Sequence, residues 1–162
     1  MEKLTLTDIA AAVGGRILGG KQELAVEGLS TDSRTIDTED LFVALIGDNF
    51  DGHEFVEEAF SQGIKAAVVS RKIKGVEPLI IVDDTTQALQ DLAAYYRRRF
   101  HDLPVVAVTG STGKTTTKDM TASVLNEKYK TLKTEENLNN EIGLPLTLFN
   151  LDSSYEALVV EM

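Results

Sequence analysis

Val105-Val106-Ala107-Val108-Thr109-Gly110-Ser111-Thr112-Gly113-Lys114-Thr115-Thr116-Thr117 decides how this chain is read. Val105 to Val108 form an apolar run that suits a strand. The run enters a turn bracketed by Gly110 and Gly113, and a helix is expected from about Lys114. Glycines in such a turn let backbone N–H groups curl around phosphate oxygens. The helix N-terminus adds its partial positive charge. Lys114 is placed to reach β- and γ-phosphates, and the Thr115 hydroxyl to ligate Mg²⁺. The candidate phosphate cradle is therefore Gly110, Ser111, Thr112, Gly113, Lys114, Thr115 and Thr116. The general P-loop asks for a further glycine five residues before Gly113, and Val108 stands there instead. A ligand-free turn is the plain alternative, but strand, turn, Gly113-Lys114-Thr115 and helix all agree. A dinucleotide suits Lys114 and Thr115 less well than a triphosphate with its metal.

Outward from this loop, the N-terminal half reads as a separate small α/β unit. Thr7 is a candidate cap for a helix through Ala10-Ala11-Ala12 that Gly14 ends in a left-handed turn. Gly14-Gly15 and Gly19-Gly20 read as turns around a short strand, Arg16-Ile17-Leu18. Leu41 to Ile46 suits a buried strand. His53 to Gln62 reads as a helix with Phe55, Ala59 and Phe60 inward. Ala66 to Ser70 and Leu79 to Val82 suggest two further strands, so strand, helix and strand imply parallel pairing. Asp84 with Gln87 resembles a capping box for a helix that lines up Leu89, Leu92, Ala93, Tyr96 and Phe100. Arg97, Arg98 and Arg99 suit its C-terminal end. A domain boundary is expected near residue 83, giving domains 1–83 and 84–162.

Composition narrows the function. The chain has 162 residues, 16 Lys plus Arg against 26 Asp plus Glu, a net charge of −10 and no cysteine. A 43% apolar content suits a globular core. The missing cysteines exclude disulfides, zinc ribbons and thiol nucleophiles. The acidic balance argues against a general nucleic-acid binder. There is no apolar run of about 18 residues for a membrane span, and no secretory leader pattern at the start. A cytoplasmic protein is expected.

The loop from Thr109 to Met120, followed by Asn137-Leu138-Asn139-Asn140-Glu141-Ile142-Gly143-Leu144-Pro145-Leu146-Thr147, resembles the ATP-dependent Mur ligases of peptidoglycan synthesis. Within that family it is similar to the branch that adds D-alanyl-D-alanine to UDP-N-acetylmuramoyl-tripeptide. Ala157-Leu158-Val159-Val160-Glu161-Met162 adds a strand ending in a carboxylate, where a Mg²⁺ ligand belongs. Ser30 to Arg34, Asp40 to Leu45 and Gly47 to Gly52 are similar to the family's uridine-nucleotide domain. The resemblance implies an α/β fold. A small N-terminal UDP-binding domain would precede the start of a parallel-sheet P-loop central domain.

It also implies roles. Lys114 would neutralise charge on the transferring phosphoryl group, and Thr115 and Glu161 would hold Mg²⁺. Ser33, Asp48 and Asn49 would contact the UDP-sugar. Asn139 and Asn140 would face either the UDP-muramoyl substrate or ATP. ATP and Mg²⁺ are the implied cofactors, with D-alanyl-D-alanine as the second substrate. The resemblance ends inside the central domain, short of the family's carbamylated lysine, histidine and C-terminal domain. A fragment without turnover of its own is therefore expected, with an exposed sheet edge prone to self-association. Other ligases of this kind, MurE and folylpolyglutamate and cyanophycin synthetases, share the loop. A binding module for a UDP-sugar or ATP is the non-enzymatic alternative.

The remaining polar residues take plain readings. His53 belongs to a helix start or loop, and His101 beside Asp102 is solvated. Asp83-Asp84 caps a helix rather than binding metal. Glu135-Glu136 is a solvated loop, and Tyr95-Tyr96 is packing.

Overall fold

A computed structural model describes residues 1–135 and 138–162; Glu136 and Asn137, named in the expectations above, lie outside the described residues. The chain folds into two compact units, Met1–Leu92 and Ala93–Met162.

The first unit is built on a five-stranded sheet. Strands β2 (Arg16–Leu18), β4 (Gly28–Ser30), β5 (Asp40–Val43), β8 (Ala66–Val69) and β9 (Leu79–Ile81) take the order β2-β9-β8-β5-β4. The pairs β4–β5, β5–β8 and β8–β9 are parallel and β2–β9 is antiparallel. Leu41, Phe42, Val43, all of β8, Leu79 and Ile80 are buried, as a strand covered on both faces requires. Each buried Leu, Ile, Val or Phe among them contributes roughly 1.5–3 kcal/mol on leaving water. Strands β1 (Leu4–Thr5) and β3 (Ala25–Val26) make a small antiparallel pair beside it.

Local chemistry explains the departures from expectation. Helix α1 (Leu6–Val13) is capped by Thr5, not Thr7: Thr5 and Asp8 form a capping box, and Gly14 ends the helix at φ 61°. The apolar run Leu41–Ile46 divides, because Ile46 leaves the sheet for a short hairpin, β6 (Ile46–Gly47) with β7 (Phe50–Asp51). A 3-10 turn (Gly52–Phe55) then precedes helix α2 (Val56–Ser61). Phe55 is exposed rather than inward, and Val56 and Ala59 take the core positions with Phe60 partly buried. Gly52 is required by close approach: a Cβ there would stand 2.6 Å from Leu45 O and 2.8 Å from Leu45 N.

Helix α3 (Thr85–Arg98) runs through the division between the units, which therefore falls beyond residue 83. Asp84 accepts from the Thr86 and Gln87 amides at 2.8 and 3.0 Å. The Gln87 side chain completes no box and instead donates to Asp91. Leu89, Leu92, Ala93 and Tyr96 are buried as the period predicts.

The second unit carries a three-stranded parallel sheet of β10 (Val105–Val108), β12 (Ala157–Glu161) and β11 (Thr131–Lys133), in the order β10-β12-β11. Helix α4 (Lys114–Asn126) links β10 to β11 and packs on β11 and β12. Helix α5 (Gly143–Phe149) keeps Pro145 in its first turn, where a missing N–H costs nothing. Tyr96 donates to Leu151 O at 2.6 Å and packs against Phe100 and Phe149. Val105 and Val106 on β10 are exposed at the edge of the described sheet.

Candidate functional site

The register of the parallel sheet builds the site in the second unit. Val108 pairs with Glu161, so β10 delivers the glycine loop and β12 delivers a carboxylate at the same level. Gly110 and Gly113 adopt φ 151° and 73°, conformations an L side chain rarely takes. Gly113 is the N-cap of α4 and supplies no side-chain acceptor, which leaves the first amides of the helix open to an anion. Gly110, Ser111, Thr112, Gly113, Thr115 and Thr116 are exposed. Lys114 Nζ donates to Gly110 O at 2.9 Å, folded back over its own loop.

Glu161 is 5% exposed, yet it is held ionised. Asn139 Nδ2 donates to its Oε1 at 3.0 Å and is the main cause of a carboxyl held below the usual range. Burial opposes this, while a hydrogen bond from Thr115 and the positive charges of Lys118 and Lys114 reinforce it. The Glu161 backbone N–H donates to Thr134 Oγ1 at 3.1 Å, and Thr134 N–H to Val159 O at 3.0 Å. Thr134, fully buried, thus pins the end of β12.

Of the expected residues, Lys114, Thr115, Asn139 and Glu161 come together. Asn140 does not point its oxygen at them: Oδ1 accepts from the Ile142 and Gly143 amides at 3.1 and 2.6 Å and starts α5. Sequence reasoning missed Lys118, one turn beyond Lys114 on α4 and 1% exposed. Its Nζ lies 3.5 Å from Asp119 Oδ1, which Lys133 also contacts at 2.7 Å. Glu161 and Thr115 offer one carboxylate and one hydroxyl, a donor set that suits Mg²⁺ completed by phosphate oxygens and water. Among the described residues no three His, Cys, Asp or Glu side chains form a metal cluster.

The first unit carries a cavity of about 450 Å³ lined by Thr31, Asp32, Ser33, Arg34, Phe42, Phe50, Gly52, Phe55 and Glu58. The turn behind it is self-braced: Ser30 Oγ accepts from Asp32 N–H, and Asp32 accepts from the Arg34 amide and guanidinium. Arg34 lowers the Asp32 carboxyl to about 2. Ser33 lines this cavity and is buried, whereas Asp48 and Asn49 are exposed at the tip of the β6–β7 hairpin and outside the lining. Phe42, Phe50 and Phe55 are lining residues that sequence reasoning did not select. His53 stands at the start of the helix as expected, but it is only 4% exposed. His101 pairs with Asp102 at the surface.

Known proteins share both halves. The family model for the Mur ligase family, catalytic domain, matches residues 25–97, and that for the Mur ligase middle domain matches residues 108–162. The UDP-N-acetylmuramoyl-tripeptide--D-alanyl-D-alanine ligase of Bacillus subtilis (strain 168) is 43% identical over 166 residues, covering 100% of this chain and 36% of the relative. The ligase of the same name from Escherichia coli (strain K12) is 40% identical over 162 residues, covering 100% of this chain and 35% of the relative. A crystal structure of MurF from Acinetobacter baumannii superposes with a TM-score of 0.93 at 36% identity, covering 100% of this chain and 36% of that one. A MurF ligase from Thermotoga maritima in complex with ADP gives 0.74 at 36% identity, covering 83% of this chain and 31% of that one. The chain therefore spans about a third of the length of the relatives it matches. With a family model on each unit and the loop, the strand-end glutamate and the asparagine in register, the chain belongs to the Mur ligase family.

Proposed function

We propose that this chain is the UDP-sugar-binding and ATP-binding portion of a ligase that joins D-alanyl-D-alanine to UDP-N-acetylmuramoyl-tripeptide in peptidoglycan precursor synthesis. The observation that carries this reading is the convergence of Lys114, Thr115, Asn139 and Glu161 at the glycine loop of a chain whose whole length aligns with about a third of the length of ligases of that name. In the reaction the tripeptide carboxylate attacks the γ-phosphorus of ATP and ADP leaves. The amine of D-alanyl-D-alanine then attacks the acyl phosphate carbonyl, inorganic phosphate departs and the amide forms. Such transfers depend on positioning and charge neutralisation.

The chain's residues divide that work. Amides from Gly110 to Thr116 cradle the phosphates, and Lys114 leaves the Gly110 carbonyl to neutralise the transferring group. Thr115 and Glu161 would hold Mg²⁺, which when bound neutralises phosphate charge. Asn139 hydrogen-bonds Glu161, which supports a role on the ATP side rather than with the sugar. Ser33 and the cavity around it take the UDP-sugar, with Asp48 and Asn49 at its hairpin. In this reading the first unit, Met1–Leu92, serves the UDP-sugar and the second, Ala93–Met162, serves ATP. The proposed use of ATP supports a cytoplasmic location. Among the described residues no helix is long and apolar enough to cross a membrane. Exposed Val105 and Val106 support self-association through the β10 edge, which sedimentation reads directly.

Calorimetric titration with UDP-N-acetylmuramoyl-tripeptide, and separately with Mg-ATP, tests the reading. Heat from both is expected. Silence toward the UDP ligand would remove the first unit's assignment, and silence toward Mg-ATP the second's. In the longer enzyme Lys114→Ala should cost on the order of a hundredfold or more in rate; a loss below about tenfold would sink its role.

A further inference from the structure

His53 is buried with both ring nitrogens engaged. Nε2 lies 2.8 Å from the Ser70 amide nitrogen. An amide N–H only donates, so Nε2 accepts and the proton sits on Nδ1, 2.6 Å from Asp51 Oδ1. Asp51 Oδ1 also accepts the His53 backbone N–H at 2.9 Å, and Arg71 grips Oδ2 at 2.7 Å. Arg71, Asp51, His53 and Ser70 therefore form one chain of contacts. It ties the β7 end and the 3-10 turn to the end of β8, across a sequence gap of 17 residues.

Aspartate, histidine and serine in a row are also the groups of an activated serine nucleophile. Two observations argue against that use here. The Ser70 amide is nearer to Nε2 than the Ser70 hydroxyl, 2.8 against 3.1 Å, and occupies the lone pair that would take the hydroxyl proton. The hollow beside Ser70 is lined by Asp83 and Asp84, whose carboxylates oppose a developing oxyanion.

What the array does brace is the cavity wall. Phe50, Gly52 and Phe55 line the cavity and flank His53 in sequence. The β6–β7 hairpin pairs only two residues on each side, too few to hold a shape alone. We propose that His53 is a positioning residue for the sugar-nucleotide cavity, a neutral strut that fixes Phe50, Gly52 and Phe55 against the end of β8. The inference rests on the reading of that cavity as the UDP-sugar site.

The test uses the 162-residue chain and its His53→Phe, His53→Gln and Ser70→Ala variants. Calorimetry measures UDP-N-acetylmuramoyl-tripeptide and Mg-ATP, and amide exchange is followed over residues 46–55. His53→Phe should weaken the UDP ligand by about tenfold or more and leave Mg-ATP within about twofold. Hairpin amides should exchange faster. His53→Gln, whose side-chain oxygen can accept from the Ser70 amide, should recover part of the affinity. Ser70→Ala should bind as wild type, because the amide is the anchor. Unchanged binding by His53→Phe, an equal fall for both ligands, or a Ser70→Ala loss as large as that of His53→Phe would each overturn the strut. If the wild type binds no UDP ligand, the cavity assignment fails and exchange alone decides. Faster exchange confined to the hairpin and turn then supports the strut, and unchanged protection overturns it.

Discussion

Asn139 donates its side-chain amide to Glu161 Oε1 at 3.0 Å, and no other contact does more to keep that buried carboxylate ionised. Asn139→Ala removes the donor while Thr115, Lys114 and Lys118 remain. The Glu161 carboxyl should then rise toward its ordinary value. Mg-ATP affinity should fall by about tenfold or more, the worth of one hydrogen bond to a charged group. Calorimetry at neutral pH reads this, and an unchanged affinity would remove Asn139 from the ATP side.

Lys118 gives a prediction of opposite sign for stability and binding. Burying its ammonium group is costly, and its ion-pair partner Asp119 retains Lys133 at 2.7 Å when Lys118 is removed. Lys118→Met keeps the volume and removes that cost, so the melting temperature should hold or rise. The positive charge near Glu161 is lost, so Mg-ATP binding should weaken several-fold, by about 1 kcal/mol. A variant that melts lower and binds normally would show Lys118 to be structural only.

The strand, glycine turn and helix around Lys114 are legible because they are consecutive in sequence. Lys118 is not, because a lysine one turn into a helix reads as solvated until β11 and β12 pack over that face. Phe55 was misplaced for a geometric reason. The turn begins as a 3-10 helix with about three residues per turn, which shifts the phase of a 3.6-residue period and gives Val56 the inward position. His53 reads only as a helix start or loop because one partner, Ser70, is a backbone amide 17 residues away. Thr5 and Asp8 carry capping-box spacing in the sequence, and it is this pair rather than Thr7 that caps α1. The role of Asn140 lay in its spacing from Gly143, a turn signal, rather than in its twin Asn139.

Asp51 sets an acid limit on the first unit. Arg71, then the His53 amide and imidazole, hold its carboxyl down to about 2 from the ordinary 3.8. A depressed carboxyl stabilises the fold above its unfolded value. As pH falls from 3.8 toward about 2 the unfolded chain takes the proton first, and that stability is lost. Asp51→Asn should therefore start less stable and lose less across this window, with its stability curve parallel to wild type above about pH 5. Urea unfolding at stepped pH checks the slopes. Equal slopes in the acid window would show that Asp51 titrates as if free.

Gly52→Ala tests the cavity wall from the other side. The added Cβ would stand 2.6 Å from Leu45 O, 2.8 Å from Leu45 N and 2.9 Å from Ala44 C, all backbone atoms that no rotamer change can clear. The Gly52 N–H also donates to Leu45 O at 2.7 Å, so the turn cannot back away without breaking that bond. Overpacking of this kind costs about 1–3 kcal/mol, or a drop of roughly 5 °C in melting temperature. Because Gly52 lines the cavity between Phe50 and Phe55, the UDP ligand should weaken in the same variant. Mg-ATP binding, proposed for the other unit, should not change. A variant that melts lower but binds the UDP ligand normally would separate the turn from the ligand and leave the cavity to Ser33 and its neighbours alone.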